Sequence, residues 1–201
     1  MAIRLKLEKT ERILFCGSKW WGDPDMPENM QYPTMEVTED GETYDYPLTF
    51  ICQINCEDIA RFDNEGKLPH EGMLYFFAAF DDFIGYESPV HNPAGEWPKG
   101  RLVVKYAKSI NFETFQTCML VGDEDEQLTE PELGIIFEEC SEDSNGIKML
   151  FKADESDNFG LMRIVSDEIG NIELGTGSLD IIIKESDLKF GNWKRTKAVL
   201  K

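Results

Sequence analysis

Short runs of alternating hydrophobic and polar residues dominate this chain, and their period is that of β-strands. Ile3, Leu5 and Leu7 alternate with Arg4 and Lys6, which predicts a half-buried strand. An apolar run at 13–16 leads into the proline-rich stretch 17–33, GSKWWGDPDMPENMQYP, expected as an ordered loop around the adjacent Trp20 and Trp21. Asp40 and Gly41, within the acidic stretch 36–46, signal a hairpin turn. Leu48, Phe50, Cys52 and Ile54 then share one face of a strand, with Thr49, Ile51 and Gln53 on the other. Asn55 stands where an N-cap belongs, with Glu57 and Asp58 in the first turn of a short helix reaching Phe62. Residues 73–80 are apolar on both faces and predict a central, doubly covered strand.

The second half continues in the same style. Residues 81–100 read as loop, with prolines at 89, 93 and 98, and 101–107 alternate again. Thr129, Pro131 and Glu132 read as a capped helix start, and Leu133, Ile136, Phe137 and Cys140 fall on one helical face, predicting a helix over 129–140. Strands are predicted at 147–152, 160–166, 171–174, 178–184 and 193–200, with turns at 145–146 and 170–171.

One pattern recurs. PLTFICQINCEDI at 47–59 and GMLYFF at 72–77 are echoed by FGLMRIVSDEI at 159–169 and GTGSLDIII at 175–183. In both places an apolar strand carries a polar residue before an isoleucine (Gln53–Ile54, Arg163–Ile164) and runs into an acidic pair. A glycine then opens a second apolar strand, at Gly72 and at Gly177. The expected fold is therefore α+β and strand-rich: one domain over 1–201, made of two similar antiparallel sheet halves, about 1–107 and about 108–201, packed into one compact unit with a few short helices.

Charge narrows the choice of partners. Thirty-nine acidic against twenty basic residues give a formal net charge of −19. Such a field repels phosphate backbones and anionic membrane surfaces and favours solubility, cations or a basic protein reached by electrostatic steering, solubility alone being sufficient reason for an acidic surface. Five scattered cysteines (Cys16, Cys52, Cys56, Cys118 and Cys140) are an odd count, which points to free thiols in a reducing, cytoplasmic setting. No signal peptide and no membrane span are expected.

Four segments together resemble the YwqG-like family of bacterial proteins of unknown function. They are SKWWGDPDMP (18–27) with QYP (31–33), PLTFICQIN (47–55), LPHEGMLYFF (68–77), and GSLDIII (177–183) with Asp187 and Leu188. Two family features are missing: a Trp-Gly-Asp ahead of the last strand, where this chain has ELGTGSL (173–179), and a central His-x-x-Leu-Gly, here CMLVG (118–122). The resemblance implies a single α+β unit with internally repeated sheet halves, and no reaction.

Candidate chemistry is sparse. His70 and His91 lie in proline-rich loops without partners at metal-binding or triad spacing. Cys52 and Cys56 have no second pair to complete a tetrahedral site and are expected in the core. The acidic runs 123–126 and 154–157 do not match a calcium loop, and 175–177 lacks the third glycine of a nucleotide fingerprint. No metal and no cofactor are expected. The candidate binding residues are Lys19, Trp20, Trp21, Asp23 and Gln53. In an extended loop the adjacent tryptophans point opposite ways, which would leave one accessible to a ligand; the competing expectation is that both plug the gap between the sheets as core aromatics.

The favoured expectation is a non-enzymatic interaction protein that binds a basic partner, one concrete form being neutralisation of a toxin domain. The competing expectation is a small-ligand-binding or enzymatic domain using loop 17–33 and the groove between the two halves. A nucleic-acid mimic presenting acidic rows is a third reading. Oligomeric state is left open.

Overall fold

Period-two patterning builds strands almost wherever it occurs. The computed structural model describes residues 1–80, 92–122, 125–153, 157–169 and 177–201. The first half contains β1 (Ala2–Glu8), β2 (Lys19–Trp20), β3 (Asp25–Pro27), β4 (Thr34–Glu39), β5 (Glu42–Pro47), β6 (Thr49–Asn55), α1 (Cys56–Ala60), β7 (Met73–Ala78), β8 (Gly95–Glu96) and β9 (Leu102–Ala107). The second contains β10 (Phe115–Thr117), β11 (Leu133–Cys140), β12 (Lys148–Lys152), β13 (Asn158–Val165), α2 (Ser166–Ile169), β14 (Ser178–Lys184), α3 (Glu185–Lys189) and β15 (Lys197–Leu200). The predicted strand 171–174 and the turn 170–171 lie outside the described residues.

Eleven strands form one antiparallel sheet in the order β8-β15-β14-β13-β12-β1-β11-β2-β6-β7-β9, curled into a half-barrel. This overturns the expectation of two similar sheet halves. β1 pairs with β11 along one edge and β12 along the other, so the N-terminal strand is built into the second half's ladder. A strand with both edges satisfied this way leaves no boundary at which two sheets could part. The α+β expectation falls with it: α1, α2 and α3 are only five, four and five residues long.

The sequence echo survives as a local motif. β6 runs into α1 and β13 into α2, and each strand carries a bulge, with Ile51 extra between Phe50 and Cys52 and Leu161 extra between Gly160 and Met162. The bulge also corrects the predicted faces of β6. Leu48 and Phe50 join the outer core, whereas Cys52 and Ile54 join the inner one, because one extra residue moves every later side chain to the opposite face. Asn55 caps α1 as predicted, its Oδ1 accepting from Glu57 N at 3.0 Å.

Two apolar layers sandwich β6, β7 and β9. Inside the curl, Leu74, Phe76 and Ala78 join a core that also holds Ile3, Leu5, Met149, Met162 and Ile181. Outside it, Met73, Tyr75 and Phe77 pack with Met26, Leu48, Phe50 and Phe115. β7 is thus buried on both faces, as its unbroken apolar run predicted. The outer layer is roofed by the short β3–β10 pair and the loops around it.

The predicted helix over 129–140 is instead β11. Leu7 faces Ile135 and Leu5 faces Phe137 in the β1 ladder, and Leu133, Ile135 and Phe137 point to the inner core while Ile136 is exposed. The apolar spacing satisfied both periods. The β-branched pair and the unpaired edge of β1 decided for the strand. At the C-terminus the predicted strand begins late, after a 3-10 turn at Trp193–Arg195 that sets Trp193 against Tyr106.

Candidate functional site

Loop 17–33 enters the large sheet as β2, with Lys19 opposite Gln53 and Trp20 opposite Cys52. Alternation along these strands sends Lys19 and Gln53 to the outer face and Trp20 to the inner one. Trp21 (φ 57°) and Gly22 (φ 73°) then turn the chain, and Trp21 N donates to the bulged Ile51 O at 2.9 Å. Both indoles therefore end inside the curl, 5.7 Å apart and near-perpendicular. Trp20 is 0% and Trp21 5% exposed, so neither is an accessible aromatic, and both fill the core as the competing expectation had it. Among the described residues Trp20 Nε1 has no hydrogen-bond partner, which makes this indole a costly core residue.

The polar candidates split between two networks. The first centres on Asp25, a residue the sequence reading passed over. Its Oδ2 accepts from Cys16 N at 2.9 Å and Gln53 Nε2 at 2.8 Å and lies 2.9 Å from Lys19 Nζ. Its Oδ1 accepts from Thr117 Oγ1 at 2.8 Å. Its backbone N donates to Gln53 Oε1 at 2.8 Å, and its carbonyl accepts from Tyr75 Oη at 2.7 Å. Gln53 Nε2 also donates to Gly17 O at 2.8 Å. Lys19 and Asp25 are almost wholly buried, and a buried ion pair is tolerated only when its remaining valences are filled in this way. One sequence signal could have exposed Asp25: a glutamine in an apolar strand must have its amide satisfied, and the facing loop offers few partners.

The second network is built on Asp23. Its carboxylate accepts from Leu120 N and Thr129 Oγ1, each at 3.3 Å, and from Gln127 Nε2 at 2.8 Å. Thr129, predicted as a helix cap, ties the 120–129 segment to the loop instead. Lys19 Nζ also reaches Glu132 Oε2 at 3.3 Å. Ser18 Oγ donates to Asp58 Oδ2 at 2.7 Å and accepts from Asn55 N at 2.9 Å. Together these bonds tie loop 17–33 to β6, to α1 through Asp58, to β10 through Thr117, and to Leu120, Gln127, Thr129 and Glu132 outside the strands.

Reactivity at the cluster is suppressed. Burial pushes the Cys16 thiol up to about 11, aided by the Asp25 charge, and burial pushes Cys56 up to about 12. Tyr75 and Cys118 are raised, again chiefly by burial. A nucleophilic cysteine needs the opposite environment. Among the described residues no group of three His, Cys, Asp or Glu side chains is disposed to hold a metal ion. His70 Nε2 lies 3.4 Å from Asp63 Oδ2 at the surface; His91, 123–124, 154–156 and 175–176 lie outside the described residues.

The space beside Trp21 amounts to about 10 Å³, so the region around the tryptophans is filled by side chains. Larger clefts open elsewhere. One of about 590 Å³ runs between Arg12, Ser18, Asp58, Arg61 and the exposed side of β11. Another of about 370 Å³ lies among Phe62, Lys67, Leu150, Phe159 and Glu185.

A curled antiparallel half-barrel with its loop anchored by a buried ion pair is thus the class of protein this chain represents. A family described as a domain of unknown function (DUF1963) matches residues 18–150, and the chain belongs to that family. The match starts at the Ser18–Lys19 anchor and takes in both networks apart from Cys16 and Gly17. No curated protein matches the chain. No helix among the described residues is long and apolar enough to cross a membrane.

Proposed function

We propose that this protein is a non-enzymatic interaction module that binds a basic protein partner, with neutralisation of a basic toxin domain as one concrete form. One observation carries the reading. The polar groups gathered at loop 17–33 are interior and committed to one another, whereas the charge excess of −19 is carried largely by exposed carboxylates such as Glu36, Glu42, Asp45, Glu113 and Glu138. Chemistry is locked inside and negative potential is offered outside, a distribution suited to steering and holding a cationic surface. Capture from the source cell's lysate at low salt tests it. One dominant basic protein released by raising salt is the expected result. Retention of the same proteins at high and low salt would sink the reading.

A second reading keeps a small ligand at this end of the molecule. Its support is the cleft of about 590 Å³ that begins at Gly17 and Ser18, a volume within the range of ligand sites. A thermal-shift screen separates the two: a compound that raises Tm in wild type but not in Arg61→Ala favours the cleft.

A further inference from the structure

β11 lies inside the large sheet, yet one of its edges is mostly unpaired. β1 runs along it from Gly134 to Cys140, whereas on the other side β2 covers only Leu133 and Gly134. Hydrogen bonding alternates along an antiparallel strand, so one fixed point gives the direction of each backbone group. Leu5 N donates to Ile147 O at 3.0 Å, toward β12. Arg4 and Lys6 therefore turn their backbone groups to β11, where they meet Glu138 and Ile136. The alternate residues Phe137 and Glu139 aim N–H and C=O at the side that β2 does not reach. Among the described residues no other group bonds to them there.

The cleft of about 590 Å³ has this strand, from Gly134 to Phe137, along one side. Its other walls are α1 and the segment 10–18, tied together by the 2.7 Å bond between Ser18 and Asp58. Each of these two walls contributes an arginine, Arg61 at the end of α1 and Arg12. Neither guanidinium has an ion pair or a hydrogen bond among the described residues. Arg61 lies over the Phe62 ring at 4.6 Å, and Glu8 and Glu57, which also line the cleft, pair with neither arginine.

The two features call for one kind of ligand. An unpaired strand edge is completed by an extended main chain, and a guanidinium fork is completed by a carboxylate. We infer that the cleft takes the carboxyl-terminal segment of another protein, added as a short strand against Phe137 and Glu139, with its terminal carboxylate on Arg12 and Arg61. A side chain of that segment opposite Ile136 would lie beside it on the outer face, where Ile136 is 40% exposed, so an apolar residue fits there. The inference rests on the second reading above in using its cleft, and it puts an extended chain in place of a compact ligand.

The test titrates the isotope-labelled full-length protein with a short acetylated peptide of alternating valine and threonine that ends in a free carboxylate, following backbone amides. Saturable shifts centred on Phe137 and Glu139 are expected. Affinity should fall roughly tenfold when the carboxylate is amidated, and by a similar factor in Arg12→Gln/Arg61→Gln. A Lys99→Gln/Lys189→Gln control, with the same change in net charge at exposed positions, should bind as wild type does. All four replacements are at the surface, so Tm should not move and weaker binding is not loss of fold. A peptide N-methylated throughout has no donors for the ladder and should not bind. Equal binding of the amidated peptide, or an equal loss in the control, overturns the inference. Acetylvaline binding as tightly as the peptide also overturns it, because no strand is then needed, and leaves a small-ligand cleft standing. Shifts centred elsewhere, or none with any of these probes, overturn it too, and the thermal-shift screen then decides the second reading on its own.

Discussion

Gln53 and Arg163 occupy matching places in the two echoed strands, each two residues after a bulged residue and each ahead of an isoleucine, yet they serve different ends. Gln53 is neutral and wholly buried, and it reaches out of its strand to Asp25, in a loop that also brings Lys19. Arg163 is charged and finds its partner in the neighbouring strand: its Nε and Nη2 donate to the two oxygens of Asp180, each at 2.6 Å, in register across β13–β14. Lys201 Nζ lies 2.9 Å from the same carboxylate, and Phe151 lies beneath the guanidinium at 4.8 Å. The Arg163 and Lys201 side chains stay 24% and 35% exposed. One local device thus anchors a covering loop in the first case and locks two adjacent strands in the second. What differs is access to water, and that sets what each network is worth.

The largest effect should come from the central carboxylates. Asp25→Ala leaves Lys19 buried without its close partner and strands Gln53, Thr117 and Cys16 N, so urea unfolding should show a loss of about 3–5 kcal/mol. Asp180→Ala leaves two cations that can turn toward solvent, and should cost about 1–3 kcal/mol. Equal losses would break the comparison.

The bulges offer a second contrast. β13 places Gly160 beneath Phe151, where an added Cβ would come within 2.4 Å of the ring. Gly160→Ala should therefore cost about 1–3 kcal/mol through overpacking. The penalty should shrink in a Phe151→Leu background, because the two sites share one contact. An additive double mutant would show that the ring is not what excludes the methyl group.

Alkaline titration sharpens the contrast most gently. Cys16 and Cys56 have thiols pushed up to about 11 and about 12 from an ordinary value near 9. Above about pH 9 the unfolded chain loses these protons while the folded one keeps them. The folded state then binds more protons, and stability falls as pH rises, by up to about 1.4 kcal/mol per unit for each group. Lys148 opposes this: burial, helped by the Arg163 charge, lowers its pKa, so it gains stability over the approach to its unfolded value. Denaturation midpoints measured across pH 9–11 should fall in wild type and fall less steeply in Cys56→Ala. A flat profile in both would contradict the burial of the thiols.

Much of the fold was legible because strands announce themselves by period. The N-terminal strand, the doubly apolar β7, the hairpin at Asp40 and Gly41 and the Asn55 cap all follow from residues within a few positions of one another. Where the reading failed, remote groups decided. Leu133, Ile136, Phe137 and Cys140 fit a helix locally, and only the edge of β1 made them a strand. The split of Leu48 and Phe50 from Cys52 and Ile54 needed the bulge at Ile51, which carries no glycine to mark it. The candidate loop was rightly singled out as ordered, but its residues order it by facing inward. Trp20 and Trp21 were expected to diverge, and the left-handed turn at Trp21 sends both into the core.

By itself, then, the sequence determined the period of the elements, the positions of turns and caps, and the surface charge, because each depends on neighbours along the chain or on simple composition. It also marked the two bulged strand–helix units as alike. Tertiary structure alone decided that they lie in one curled sheet, since β1 joins the second half through pairings with strands more than a hundred residues away. It alone decided that Lys19, Asp25 and Gln53 form one buried cluster, because desolvating a charge is tolerable only where distant segments supply every partner at once.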